Sequence, residues 1–335
     1  MLLVLIVLAA RNRLLFLAGP LASLRRGVTA EVVVLLGLVV AVAVLTALPP
    51  GRTSAAAARL RPVPVGPASP VLPPPGALVL AQESGRLAVA LSARPAPGGG
   101  LRLTSTVIGP DANGVDDLQL TFGASGTRGA TLEPGVPCGT GCYRATTQNV
   151  GKPRAVTINF AGETAGRVRF PFPRTWPAPS ATALVQRAYA RFRALHSVRY
   201  RENLASSPQR KISTIWTQVA PDRLQYSIRG GADGILIGAT RWDRTKPGGA
   251  WVKSSSQAIA APTPIWPRSP SDARLLAKTK DGYVVSLLDR SIPAWFTLRL
   301  DRRLRPRSLK MTAPAHFMHH DYLSFNRPLK IRPPR

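Results

Sequence analysis

Residues 181–219 read ATALVQRAYARFRAL (181–195), a short break, SVRYREN (197–203) and, after a polar turn, KISTIWTQV (211–219). The first segment repeats apolar residues at helical spacing, with Leu184, Ala188, Phe192 and Leu195 on one stripe and Ser180 in place as N-cap. The next two alternate apolar and polar residues, as strands with one buried face do. RLQYSIR (223–229), GILIGATRW (234–242), AWVKSSS (250–256), YVVSLLD (283–289), AWFTLRLD (294–301), SLKMTAP (308–314) and HFMHHDYLSF (316–325) carry the alternation to the end of the chain. One helix and a long meander predict an α+β domain over residues 178–335, a curved antiparallel sheet wrapped over a helix. Its concave side is a natural apolar pocket.

Upstream, residues 77–174 hold shorter period-two runs: LAVALSARP, LRLTSTVI, DDLQLTF, YRATTQN, RAVTINFA and RVRFPFP. Turn-forming clusters such as PGGG, GPDANG and EPGVPCGTG separate them, which predicts an all-β, immunoglobulin-like sandwich with no helix longer than a turn. Before it, residues 51–76 are rich in Pro and Ala and read as a semi-rigid spacer.

The first 50 residues differ in kind. VVVLLGLVVAVAVLTAL (32–48) carries no charge and would extend about 25 Å as a helix, near the lower limit for a hydrocarbon core of about 30 Å. Met1 to Ala10 is apolar but is cut by Arg11, Asn12 and Arg13. A cleaved signal peptide is the rival reading of that piece, although its charge follows the apolar region instead of preceding it. Two transmembrane helices, about 1–18 and 30–49, are expected. Arg11, Arg13, Arg25 and Arg26 between them keep that loop cytoplasmic, so residues 51–335 are expected outside the plasma membrane, beside its lipids. The expected fold class is therefore a membrane-anchored multidomain chain: two N-terminal helices, a β-sandwich, and an α+β sheet with its helix.

Lys and Arg number 45 against 16 Asp and Glu, a net charge of +29. Nucleic acid is not the expected partner, because the basic residues are scattered singly and no base-stacking aromatic cluster accompanies them. A solvated basic face beside anionic lipid headgroups accounts for the charge. Cys138 and Cys142, in PCGTGCY, are expected to form a small-loop disulfide in an oxidising compartment, with free thiols or a metal pair as alternatives. No G-x-S-x-G, P-loop, H-E-x-x-H or dinucleotide fingerprint occurs, so no enzymatic activity is expected.

Of four His, three stand at 316, 319 and 320, and of three Met, two stand at 311 and 318. Imidazole and thioether donors suit copper, Cu(I) above all. As a strand, HFMHH puts His316, Met318 and His320 on one face, with Phe317 and His319 on the other. These residues with Met311 are the candidate copper ligands. The alternative is an ordinary strand with Phe317 in the core and its imidazoles solvated.

Two family resemblances follow from particular stretches. NRLLFLAGP (12–20) and LRRGVTAEVVVLLGLVVAVAVLTALPPGR (24–52) resemble the last two membrane helices of the copper-resistance D (CopD) family. The sandwich stands where such proteins carry a CopC/YtkA-like β-domain. APDRLQYSI (220–228), IGATRWDR (237–244) with AWVK (250–253), and WFTLRLDRRLRPRSLKMTAP (295–314) before HFMHHDYLSFN resemble exported LolA-like domains, which hold lipid or lipoprotein chains. The first resemblance implies a tethered protein that binds or delivers copper at the outer face of the membrane, beside other copper-handling membrane or periplasmic proteins. The second implies an envelope carrier or sensor of apolar ligands. Against the first, no His precedes His196, so two helices alone cannot form a metal pathway.

Overall fold

A computed structural model describes residues 69–161, 166–207, 209–270 and 272–334, and every one of its sheets is antiparallel. Among the described residues there are twenty strands and one α-helix. The strands β1 (Leu78–Ser84), β2 (Leu87–Pro95), β3 (Leu101–Ile108), β7 (Cys142–Thr146) and β6 (Val136–Gly139) form one sheet in the order β1-β2-β3-β7-β6. A second sheet, β5-β4-β8-β9, joins β4 (Leu120–Gly126), β5 (Gly129–Pro134), β8 (Pro153–Phe160) and β9 (Gly166–Pro171). The two sheets bury Leu91, Leu103, Phe122, Tyr143, Ile158 and Phe170 between them. The Tyr143 hydroxyl donates to the Val115 carbonyl and accepts from the Leu118 N–H, each at 2.9 Å, and so closes the segment leading into β4.

LAVAL in β2 breaks strict alternation for a physical reason. Val89 and Leu91 face the sandwich core, whereas Ala88 and Ala90 are buried on the other side beneath the large sheet. A strand covered on both faces needs no polar positions.

The large sheet has eleven strands: β10 (Ser197–Ser207), β11 (Arg210–Val219), β12 (Arg223–Ile228), β13 (Asp233–Ile237), β14 (Thr240–Arg244), β15 (Val252–Ser255), β16 (Arg274–Thr279), β17 (Gly282–Asp289), β18 (Ala294–Asp301), β19 (Pro306–Ala313) and β20 (His316–Phe325). Its order, β15-β14-β13-β12-β11-β10-β20-β19-β18-β17-β16, seats the last strand between β10 and β19. The connection from β15 to β16, residues 256–273, must therefore link opposite edges of the sheet. It is fixed in passing: the Thr263 N–H donates to Gln218 Oε1 at 2.7 Å, and Arg193 donates to the Pro262 carbonyl at 2.8 Å. Trp266, 1% exposed, meets Phe192 edge-on at 5.3 Å.

The helix α1 (Thr182–Arg193) buries Val185, Ala188 and Phe192 against one face of this sheet, on Leu287, Phe296, Leu298 and Leu309. Arg191 and Arg193 in its last turn complement the helix dipole. Ser180 is not the N-cap. Ala181 holds that position without a side-chain cap bond, because Ser180 and Ala181 are drawn into pairing with Arg274 and Ala273 at the sheet edge. The face expected to offer an open apolar pocket is filled here by α1 and Trp266.

The membrane-anchored fold class is corrected. Among the described residues no helix is long and apolar enough to cross a membrane; α1 has 12 residues, and strands make up most of the rest. The segments 1–18 and 30–49 themselves lie outside the described residues. An apolar run registers only a preference for leaving water, and seventeen such residues are at the short limit for a bilayer span.

The other face of the large sheet meets the sandwich. Leu288, Trp295 and Phe317 pack on Val79, Ala88, Ala90 and Ile108. The last residues of the Pro-rich stretch take part as well. The Gly76 N–H donates to Asp272 Oδ1 at 2.7 Å, Arg290 donates to the Pro73 carbonyl at 2.6 Å, and Arg274 reaches the Gly76 carbonyl. Proline carbonyls are good acceptors without a donor of their own, which suits them to arginine capture.

Candidate functional site

Between the sandwich and the large sheet the packing is incomplete, and a cleft remains. One part, of about 450 Å³, has Leu80, Phe170 and Phe172 of the sandwich on one wall and Leu276 and Val284 on the other. Thr297, Arg299, Ser308, Lys310 and His319 complete the sheet wall. Among the described residues that line it there is no carboxylate. A second part, of about 490 Å³, shares Lys310 and His319 and adds Glu83, Lys211 and Phe317.

Strand alternation explains the mixture. Leu298 and Leu300 turn toward α1 and are buried, so Thr297 and Arg299 of the same strand turn toward the sandwich. Lys310 stands opposite Thr297 on β18 and His319 on β20, which aligns three polar side chains across three strands. His319 Nε2 lies 2.9 Å from Asp321 Oδ1, with both side chains about half exposed. Gln82, also in the lining, donates its amide to the Arg169 carbonyl at 2.6 Å. An apolar channel with cationic groups along one wall can take an amphipathic molecule with a negative head.

The predicted copper ligands are divided by the same alternation. Met318 and His320 face α1, and Met311 stands directly opposite Met318 on β19; these three are 5%, 1% and 7% exposed in that order. His319 points to the sandwich side, and His316 is exposed at the start of β20. Among the described residues no group of three His, Cys, Asp or Glu is arranged to hold a metal. His320 alone of these passes one test of fit. His320 Nε2 is 2.8 Å from Glu202 Oε2, and its buried Nδ1 has no hydrogen-bond partner. In a neutral imidazole, a carboxylate on one ring nitrogen would leave the lone pair on the other, the usual second-shell arrangement of a ligating imidazole.

Around this pair runs an aromatic row that single residues did not disclose. Tyr200 lies 4.6 Å from the His320 ring, 5.4 Å from Tyr322 and 6.3 Å from Trp216, and Trp216 lies 5.2 Å from Tyr226. Burial raises the Tyr200 and Tyr322 hydroxyl pKa values far above the usual range, so both stay neutral. Cys138 and Cys142 are joined in a disulfide (S–S 1.99 Å) that closes the β6–β7 hairpin, away from the cleft.

In fold terms the described chain is a two-sheet β-sandwich joined to an eleven-stranded sheet carrying one helix. No family model and no curated protein match it. Among solved structures it is similar to a LolA superfamily protein from Nitrosomonas europaea, at 11% identity and a TM-score of 0.23, over 44% of this chain and 94% of that one.

Proposed function

We propose that the protein binds an amphipathic ligand, an apolar chain with an anionic head, in the cleft between sandwich and sheet, and acts as its carrier or sensor. The observation that supports this is the lining: Leu80, Phe172, Leu276 and Val284 form apolar walls, and Arg299 and Lys310 stand on the same surface without a carboxylate in that part of the cleft. The volume of about 450 Å³ falls in the range of small-ligand sites. The test is native mass spectrometry of the full chain with dodecanoate and with dodecanol. Dodecanoate should bind at least about tenfold more tightly than dodecanol, the equivalent of one well-placed charge contact. Val284→Trp, which fills the cleft, should abolish both. Equal binding of dodecanoate by Val284→Trp and wild type would refute the site.

A second reading concerns copper(I), and the unpartnered Nδ1 of His320 favours it. Met311, Met318 and His320 would be the ligands, with Glu202 holding the imidazole; His316 and His319 would have no part. Chelator-competition titration of the full chain tests this. Met311→Leu with Met318→Leu should weaken copper(I) binding, and His316→Ala with His319→Ala should not. The reverse pattern, or no copper(I) binding, removes the reading.

A further inference from the structure

At the far end of the large sheet two hairpin turns lie side by side. Gly282 pairs with Asp301, so the β16–β17 turn, with Lys280 and Asp281, abuts the β18–β19 turn that runs from Arg302 to Arg305. The strands come unusually close there. A Cβ on Gly282, whose φ is +150°, would sit 1.9 Å from the Leu300 carbonyl oxygen, so only glycine permits the approach.

Asp301 organises the second turn from within. It is 5% exposed, and its carboxylate accepts from the Arg303 and Arg305 N–H groups and from the Arg305 Nε, each at 2.9 Å. Arg307 stands 3.5 Å away, and the Arg305 guanidinium also lies over the Phe325 ring at 5.3 Å. The negative charge of Asp301 is thus consumed inside the turn, and Leu304 closes the turn in the left-handed region at φ 62°. Arg302, Arg303 and Lys280 are left pointing to solvent, and Arg307 is 63% exposed.

Lys280, Arg302, Arg303, Arg305 and Arg307 line one shallow concavity together with Asp281 and Asp301. Five cations against two carboxylates, one of them buried and saturated, leave a surplus of three positive charges on fixed backbone. We infer that this end of the sheet is a binding site for a phosphoryl group, a multiply charged tetrahedral oxyanion that guanidinium forks match in geometry. Planar, bidentate donors recognise such oxygens better than point charges do. The source is either a phospholipid headgroup or a soluble phosphate ester, and the site is independent of the cleft.

The experiment is calorimetric titration of the full chain in a neutral detergent with two probes, inorganic pyrophosphate and dihexanoyl phosphatidic acid. Arg302→Gln with Arg303→Gln keeps the Arg303 backbone N–H and the Arg305 and Arg307 side chains on Asp301, and should weaken both probes about tenfold. The charge-matched control, Arg86→Gln with Arg128→Gln at exposed sandwich positions, should change them less than about twofold. Tighter binding of phosphatidic acid would assign the headgroup as the source, and tighter binding of pyrophosphate a soluble ester. An equal loss in the control would reduce the attraction to net charge and overturn the site, as would no binding of either probe by wild type.

Discussion

Glu202 and His320 face each other in register across β10 and β20, Oε2 to Nε2 at 2.8 Å, with side chains only 12% and 2% exposed. They sit at the seam where the last strand joins the middle of the sheet. Replacing Glu202 by Ala leaves the imidazole buried with neither nitrogen bonded, an expected cost of about 2–4 kcal/mol. Glu202→Gln keeps an acceptor and should cost less than half as much. Urea unfolding of the full chain measures both. Identical midpoints for Glu202→Ala and wild type would show that the pair does not hold the seam.

The outer strands should be sensitive to acid. The Arg241 guanidinium, 2.5 Å from Asp243, lowers that carboxyl pKa more than burial raises it, and Tyr226 adds a hydrogen bond. For Asp233, burial pushes the pKa upward, but Ser227 and Arg244 together outweigh it. Both folded values lie below the ordinary 3.8, so both groups stabilise the fold fully above about pH 4 and lose that contribution as pH falls through their lower folded values. Hydrogen exchange in β13 and β14, corrected for intrinsic rates, should accelerate below about pH 4. Asp243→Asn should flatten that dependence, and an unchanged profile in the variant would count against the account.

Reduction of the Cys138–Cys142 disulfide should weaken the sandwich modestly. The sequence separation is 4, and a loop that short removes only about 2 kcal/mol of unfolded-state entropy. Urea midpoints with and without reductant, compared with a Cys138→Ser, Cys142→Ser variant that reductant should leave unaffected, provide the check. A loss above about 5 kcal/mol would mean that the bridge does more than close its hairpin.

Asp272 couples the sandwich to the sheet. It is fully buried, it accepts from the Gly76 N–H at 2.7 Å, and it pairs with Arg290 at 2.8 Å. Asp272→Ala removes both contacts, while Arg290 keeps the Pro73 carbonyl, and should cost about 1–3 kcal/mol, concentrated at the junction. Calorimetry should then show two unfolding transitions where wild type shows one. A single transition in the variant would place the coupling elsewhere, in the contacts of Trp295 and Phe317.

Local pattern was readable where one face of a strand is buried, and less so elsewhere. LRLTSTVI and HFMHHDYLSF coincide with β3 and β20 to the residue. RLLAKT, which forms β16, is half-buried over four residues, exposed over the last two, and follows a Ser- and Pro-rich crossing, so its alternation carries no contrast. The cleft was invisible for another reason. Its walls come from Leu80 and Lys310, distant in sequence and ordinary one by one, and only sheet order brings them together. The His and Met cluster was visible as composition, but His320 takes its partner Glu202 from 118 positions away, and no spacing rule reports that. The expected membrane helices rested on apolarity, on the Arg residues between the two runs and on a family resemblance carried by the same stretches, none of which specifies what a segment packs against.

The place of β20 between β10 and β19 has a consequence for synthesis. A ribosome delivers β10 through β15 well before residue 316, whereas β19 ends at Ala313, just ahead of β20, so it is the inner edge of β10 that waits longest for its in-sheet partner. The nascent chain thus carries an open β10 edge, complementary to β20, that the β20 of a neighbouring chain could occupy instead. The final strand acts as a keystone, and for as long as it is missing, fidelity depends on keeping growing copies apart.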